Sequence, residues 1–89
     1  MNEQEWIEKL KQEGLQNVTI SRNNSNMVFG VHTHSQSTVH VILSGELIVT
    51  DISGVRTVRE GGRIEFPAGT THTAMCGPEG CTFVVGIRR

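Results

Sequence analysis

From Val18 onward, the sequence consists of short runs of alternating apolar and polar residues, and this pattern constrains the fold more than any other feature. Alternation is typical of strands that bury one face, because residues i and i+2 of a strand point to the same side. Turn residues separate several runs, as at Ser44-Gly45, Ser53-Gly54 and Glu60-Gly61-Gly62. We therefore predict an antiparallel barrel or sandwich, with strands at residues 18–22, 28–34, 39–43, 46–51, 55–59, 63–66, 71–76 and 82–87.

A short helix is predicted before the first strand. Asn2 and Glu5 have the spacing of a capping box, and Gly14 supplies a residue that ends a helix in the left-handed conformation. The apolar residues between them recur at helical spacing and are Trp6, Ile7 and Leu10. Because this apolar stripe is narrow, we expect the helix to lie outside the barrel or across a partner subunit.

The length of the chain limits the size of its core. A sequence of 89 residues with 36% hydrophobic residues has material for one core, so we expect one domain over residues 1–89. Within it, the helix occupies residues 1–14 and the barrel occupies residues 18–87. A core this thin often needs a metal, a disulfide or a partner subunit for stability.

The charge pattern argues against two classes of partner. Eight basic residues against nine acidic ones give a formal charge of −1, with no basic stripe, so we expect no nucleic-acid partner. The longest apolar run, residues 39–43, is too short to cross a bilayer, so we expect no membrane partner. The first residues, Asn2, Glu3, Gln4 and Glu5, do not resemble a signal peptide, and we expect a cytoplasmic protein.

Two cysteines, Cys76 and Cys81, flank the segment 77–80, which reads as the tight loop of a last hairpin. They can lie opposite one another on its arms. In a reducing compartment two free thiols are favoured over a disulfide, although the sequence leaves both open.

Three histidines carry the strongest chemical signal. His32 and His34 lie two apart in a predicted strand and face the same side, and His72 lies in a later strand. Three imidazoles that converge in this way form a facial metal site with open positions for water or substrate. The alternative is that they are ordinary half-buried histidines with backbone partners.

The surroundings of these histidines resemble the motifs of the cupin superfamily. The second cupin motif, G-x5-P-x-G-x2-H, matches Gly61, Pro67, Gly69 and His72, and the Ser44-Gly45-Glu46-Leu47 segment matches the family's usual turn. The resemblance covers roughly residues 27–87. It implies an all-β fold, a small antiparallel jelly-roll barrel with the short N-terminal helix outside it, and a metal bound by His32, His34 and His72.

The sequence also departs from the family pattern. By this resemblance, the family's glutamate ligand falls on Thr38, the asparagine of the second motif falls on Cys76, and the leading glycine of the first motif falls on Asn26. The resemblance therefore supports a three-histidine site and not a site with three histidines and a glutamate.

His40 lies two residues after Thr38, on the same strand face, and the resemblance places that face near the metal. It is a candidate fourth metal ligand, or a catalytic acid or base, because imidazole titrates near neutral pH. The alternative is a core histidine that bonds a backbone carbonyl.

The resemblance implies a divalent transition metal, with Zn, Ni, Fe, Mn, Co and Cu all open, and a small-molecule ligand or substrate. If the protein is an enzyme, dioxygenase or isomerase chemistry is the expectation. The alternatives are a non-catalytic ligand-binding, metal-binding or regulatory module, and a structural cupin dimer with an empty site. Strand edges and the apolar helix stripe also predict a homodimer.

Overall fold

The computed structural model describes residues 1–88, and Arg89 lies outside it. Helix α1 covers Glu3–Gln12, and six strands follow it. These are β1 (Gln16–Asn23), β2 (Val28–Thr33), β3 (Ser37–Asp51), β4 (Gly54–Arg59), β5 (Arg63–Phe66) and β6 (Thr71–Arg88). All of the strand pairs are antiparallel, which confirms the predicted all-β barrel with one short N-terminal helix.

Two long strands, β3 and β6, form the frame of the barrel. They pair with each other from Ser37 opposite Arg88 to Thr50 opposite Thr73. The first half of β6 also pairs with β2, and the second half of β3 pairs with β4. The second half of β6 pairs with β1, and the first half of β3 pairs with β5. Each long strand therefore pairs with three other strands.

The predicted turn at Ser44-Gly45 and the predicted last hairpin are both wrong, because β3 and β6 continue through these segments. Gly45 lies opposite Cys81 and Leu47 lies opposite Cys76, so residues 77–80 of β6 span the interval that Glu46 alone spans in β3. The glycines mark a close approach of two backbones and not a chain reversal. A Cβ atom on Gly45, whose φ is +71°, would lie 2.0 Å from the carbonyl oxygen of Gly80.

Two buried clusters lie on opposite sides of β3. One fills the barrel interior and consists of Ile42, Leu47, Val49, Ile64, Phe66, Ala74, Cys76, Cys81 and Phe83. The other lies between the helix and the outer face of the sheet and consists of Leu10, Leu15, Val39, Val41 and Val84. Cys76 and Cys81 are both free thiols, and burial, followed by hydrogen bonding with Cys76, raises the pKa of Cys81 to about 12.

Helix α1 packs against the outer face of the sheet in the same chain. The backbone N–H of Glu5 donates to the Asn2 side chain at 2.8 Å and the Asn2 N–H donates back to Glu5 at 3.0 Å, which confirms the predicted capping box. Trp6 and Ile7 pack against the outer cluster around Leu10. The apolar stripe is therefore occupied within the chain, and it no longer argues for a partner subunit.

Helix α1, the one helix within residues 1–88, is not long and apolar enough to span a membrane.

Candidate metal centre

The side chains of His32, His34 and His72 come together at one end of the barrel interior. Pairing of β2 with the start of β6 places His32 directly opposite His72, and His34 follows the end of β2 by one residue. One ring nitrogen from each histidine lies within 4.8 Å of one nitrogen from each of the others. The structure thus brings together the three residues that the sequence suggested as metal ligands.

The orientation of His32 is set by its own backbone. Its Nδ1–H donates to the carbonyl oxygen of Gly30 at 2.6 Å, so the ring directs its Nε2 away from this bond. A hydrogen bond of this kind fixes the tautomer of a metal-binding histidine. The sequence does not predict it, because it depends on an irregularity in the β2–β6 pairing between Phe29 and His32.

The Nε2 atoms of His32 and His34 lie 3.1 Å apart. Two nitrogens bound at about 2.1 Å to one metal are separated by roughly 3.0 Å at octahedral angles and roughly 3.4 Å at tetrahedral angles. The observed spacing lies between these values. In the absence of a metal, the same distance fits a hydrogen bond from one ring to the other.

His72 is buried against an aromatic ring. It stacks on Phe66 with ring centroids 3.9 Å apart and an interplanar angle of 6°. Its pKa falls to about 4, mainly because burial disfavours the charged form and secondarily because His32 and His34 lie nearby. Burial, followed by the proximity of His32, also lowers the pKa of His34.

His40 faces the same cavity from β3. Its ring centroid lies 4.9 Å from that of Phe83 and 5.1 Å from that of Phe66. It is not part of the three-histidine cluster in which all ligand atoms lie within 4.8 Å of each other. Burial, followed by the proximity of His34 and His72, lowers its pKa to about 4, and its buried Nδ1 has no hydrogen-bond partner among the described residues.

Three other polar residues do not line the cavity. Thr38 is buried and its Oγ1 has no hydrogen-bond partner within residues 1–88, but it does not line the cavity. Glu65 is exposed and binds Arg88 through two hydrogen bonds of 3.0 and 3.1 Å. Cys76 is fully buried in the interior cluster and does not line the cavity.

The cavity beside the cluster has a volume of about 140 Å³. Sequence reasoning missed its aromatic walls. Strict alternation places Phe29 and His32 on opposite faces of β2, yet both line the cavity because the strand register shifts between them. The lining residues are Phe29, His32, His34, His40, Leu47, Phe66, His72, Ala74 and Phe83.

The donor set fits a divalent transition metal. Imidazole nitrogens suit Zn, Cu, Fe and Ni, and three facial nitrogens leave coordination positions open. The buried Nδ1 of His72 has no hydrogen-bond partner among the described residues, and a buried polar atom of this kind is costly unless something satisfies it. A metal coordinated by this nitrogen would satisfy it.

Comparisons with known proteins agree with this architecture. The family model described as "Cupin domain" matches residues 24–85. A comparison with curated proteins found no match.

Several solved structures are similar to this chain. A cupin-2 domain containing protein from Shewanella frigidimarina NCIMB 400 has 20% sequence identity and a TM-score of 0.70, over 81% of this chain and 69% of that chain. A protein of unknown function from Rhizobium leguminosarum bv. viciae 3841 has 21% identity and a TM-score of 0.74, over 79% and 66%. A conserved protein of unknown function from Streptococcus pyogenes has 26% identity and a TM-score of 0.68, over 81% and 63%. The chain thus spans about two thirds of the length of these structures.

Proposed function

The chain belongs to the cupin family, and from this premise we propose that it holds one divalent transition metal through His32, His34 and His72 and binds a small molecule there. The observation that carries the proposal is the convergence of three ring nitrogens, all within 4.8 Å of one another, beside a small cavity with aromatic walls. A facial site of this kind keeps open positions at which water or a ligand coordinates.

The chain itself contributes the orientation of the ligands and an apolar wall beside them. The Gly30 carbonyl fixes the tautomer of His32, and the Phe66 ring fixes the plane of His72. When bound, the metal supplies Lewis-acid chemistry, and a redox-active metal also supplies electron transfer. The aromatic walls give the open positions an apolar side, against which the carbon atoms of a bound ligand can pack.

The test of the metal site is metal content in protein purified without a histidine tag. We expect about one metal per chain in the wild type, and we expect His34→Ala to lose most of it and to melt at a lower temperature, because ligand loss forfeits binding energy that is coupled to folding. The matched control is His40→Ala, which also removes a cavity imidazole. Unchanged metal content in His34→Ala contradicts the proposal.

His40 is proposed to act next to the metal, as a base or as a group that positions the ligand. Its position outside the 4.8 Å cluster favours this role over that of a fourth metal ligand. Metal affinity of His40→Ala and His40→Gln separates the two roles. A large loss in both variants would make His40 a ligand, whereas retained metal with altered ligand binding supports the role proposed.

The alternative of a non-catalytic binding module has one observation in its favour. Apart from histidines, the cavity lining is apolar, so His40 is the one acid or base among the lining residues outside the metal cluster. Oxygen consumption by the metal-loaded protein, measured with a panel of thiols, diketones and sugars, distinguishes the two. Turnover supports a dioxygenase, and binding without turnover supports the module.

The homodimer, the cytoplasmic location and the extent of one domain over residues 1–89 stay predictions. The prediction of a homodimer now rests on the strand edges, because the apolar face of the helix is covered by the sheet of the same chain. Light scattering at micromolar concentration tests it, and a clean monomer mass would contradict it.

A further inference from the structure

The charge of the cavity limits what it can bind. None of the nine lining residues is acidic, and Asp51, a carboxylate that influences the pKa of His72, is bound to Arg56 at 3.0 Å. These two groups act on the pKa of His72 in opposite directions. A divalent metal held by three neutral imidazoles would therefore keep its double positive charge in an apolar pocket, where uncompensated charge is costly.

The size of the cavity limits the ligand further. A volume of about 140 Å³ corresponds to roughly five waters at about 30 Å³ each. A compact organic molecule of similar volume fits only if its carbon atoms contact the walls formed by Phe29, Phe66 and Phe83. A phosphorylated sugar or a nucleotide is too large and too polar for this space.

The cavity also has a polar group without a partner outside the three-histidine cluster. His40 lines the wall outside the metal cluster, and its buried Nδ1 forms no hydrogen bond with any of the described residues. A buried imidazole nitrogen in this situation gains most from a ligand atom that completes its hydrogen bonding. Because His40 and the three clustered histidines line the same cavity, a ligand bound to the metal would share that cavity with this ring.

We infer that the ligand of this centre is a small aliphatic carboxylate, bound to the metal through its oxygens, hydrogen-bonded to His40 and packed against the three phenylalanines. The inference rests on the proposed metal site and specifies its ligand class. The carboxylate supplies the negative charge that Thr38, at the position of the family's glutamate, does not supply. Its apolar body replaces water in the cavity.

The experiment uses protein loaded with Co²⁺, whose visible spectrum reports changes in coordination, together with calorimetry. Isobutyrate is the probe, and isobutyramide is the control because it has the same shape without the charge. We expect isobutyrate to change the cobalt spectrum in a saturable way and to bind at least tenfold more tightly than isobutyramide. Diphenylacetate, whose body is larger than the cavity, should bind more weakly than isobutyrate.

The outcomes separate the inference from the proposed function. Failure to take up Co²⁺ contradicts the metal site itself, and the inference falls with it. Uptake of Co²⁺ with equal binding of isobutyrate and isobutyramide overturns the inference and leaves the metal site intact. Binding of diphenylacetate as tight as that of isobutyrate also overturns it, because the cavity then does not select by size.

Variants at His40 test the hydrogen bond. His40→Phe keeps an aromatic ring and removes both nitrogens, so we expect isobutyrate affinity to fall about 10- to 100-fold, the range for a hydrogen bond to a charged group. Cobalt affinity should stay within about twofold of the wild type. His40→Gln keeps a donor and should restore part of the affinity, and it serves as the test should His40→Phe fail to fold. Wild-type isobutyrate affinity in both variants contradicts the contact.

Discussion

Phe66 and His72 form a stacked pair at the metal centre, with ring centroids 3.9 Å apart and ring planes 6° apart. Phe66 ends β5 and is buried, and the Nδ1 of His72 has no hydrogen-bond partner within the described part of the chain. The stack is therefore one of the contacts that hold the plane of this imidazole. A residue outside the three-histidine cluster thus helps to direct one of the three ring nitrogens.

We predict that Phe66→Leu weakens metal binding. Leucine keeps the site apolar but removes the flat surface that orients His72, and loss of an orienting contact typically costs about 10- to 100-fold in metal affinity. Competition with a chromophoric chelator measures the change. Phe83→Leu is the matched control, because Phe83 lines the same cavity against His40 and does not stack on a ligand of the cluster.

The two variants should lose similar stability and differ in metal affinity. Each removes part of a buried aromatic side chain, so we expect a loss of about 1–3 kcal/mol in the free energy of unfolding of the metal-free protein. An equal loss of metal affinity in both variants would mean that the stack does not orient His72.

The sequence predicted the parts of the fold that depend on local spacing. The capping box of Asn2 and Glu5 and the helix that follows it are confirmed, because short-range hydrogen bonds determine them. Alternation on β2 placed His32 and His34 on one face, and the motif around His72 pointed to the third histidine. Thr38 and Cys76 also identified where the family's motifs are interrupted.

The sequence could not predict features that arise from pairing between distant strands. Residues 77–80 read as a hairpin loop because Gly-Pro-Glu-Gly is turn-rich, yet β3 runs alongside both flanks and keeps β6 as one strand. The register shift after Phe29 depends likewise on how β2 meets β6. The aromatic wall of the cavity follows from these registers, so no single segment of the sequence predicts it.

We predict that Thr38→Glu increases metal affinity. Thr38 is buried in β3, two residues before His40, and its Oγ1 has no partner among the residues described. A carboxylate there would compensate part of the metal's positive charge, so we expect at least a tenfold gain in metal affinity. Without metal, the same carboxylate is a buried unpaired charge and should lower the melting temperature.

Thr38→Gln is the control for this prediction, since it has the size of glutamate without the charge. The melting temperature with and without metal measures both effects for the two variants. Thr38→Glu should show the larger rise on adding metal. Equal rises for the two variants would show that the carboxylate does not reach the metal.

The close approach of β3 and β6 predicts a strong effect at Gly45. A Cβ atom there would lie 2.0 Å from the Gly80 carbonyl oxygen, and the φ of +71° is unfavourable for alanine. We expect Gly45→Ala to cost more than about 3 kcal/mol in the free energy of unfolding, because backbone atoms cannot move aside easily. Urea denaturation measures the loss.

Gly14 provides the matched control for Gly45. Its φ is +91°, but a Cβ atom there would meet nothing within 4 Å, so Gly14→Ala adds backbone strain without overlap. We expect a loss of about 1 kcal/mol. Similar losses in the two variants would mean that the contact between Gly45 and Gly80 is not the cause.

The link between helix and barrel should make stability depend on acid pH. Both terminal guanidinium nitrogens of Arg63 donate to the Glu13 carboxylate, at 2.7 and 3.0 Å, and the ammonium group of Lys9 donates to it at 3.1 Å. The hydrogen bonds from Arg63 and then from Lys9 lower the pKa of Glu13 to about 2, against an ordinary value of 4.5. Because the folded pKa is depressed, this stabilisation is fully present above about pH 4.5 and is lost as pH falls toward 2.

We predict that Glu13→Gln melts a few degrees below the wild type at pH 7 and that the difference narrows as the pH is lowered to 3. The partly exposed position of the pair limits its contribution to about 1 kcal/mol at neutral pH. Arg63→Gln should lose a similar amount at pH 7, and the double variant should lose less than the sum, because the two side chains act as one unit. High salt should reduce the difference at pH 7. A difference between the wild type and Glu13→Gln that is the same at pH 7 and pH 3 would show that the ionised carboxylate of Glu13 does not hold the helix against β5.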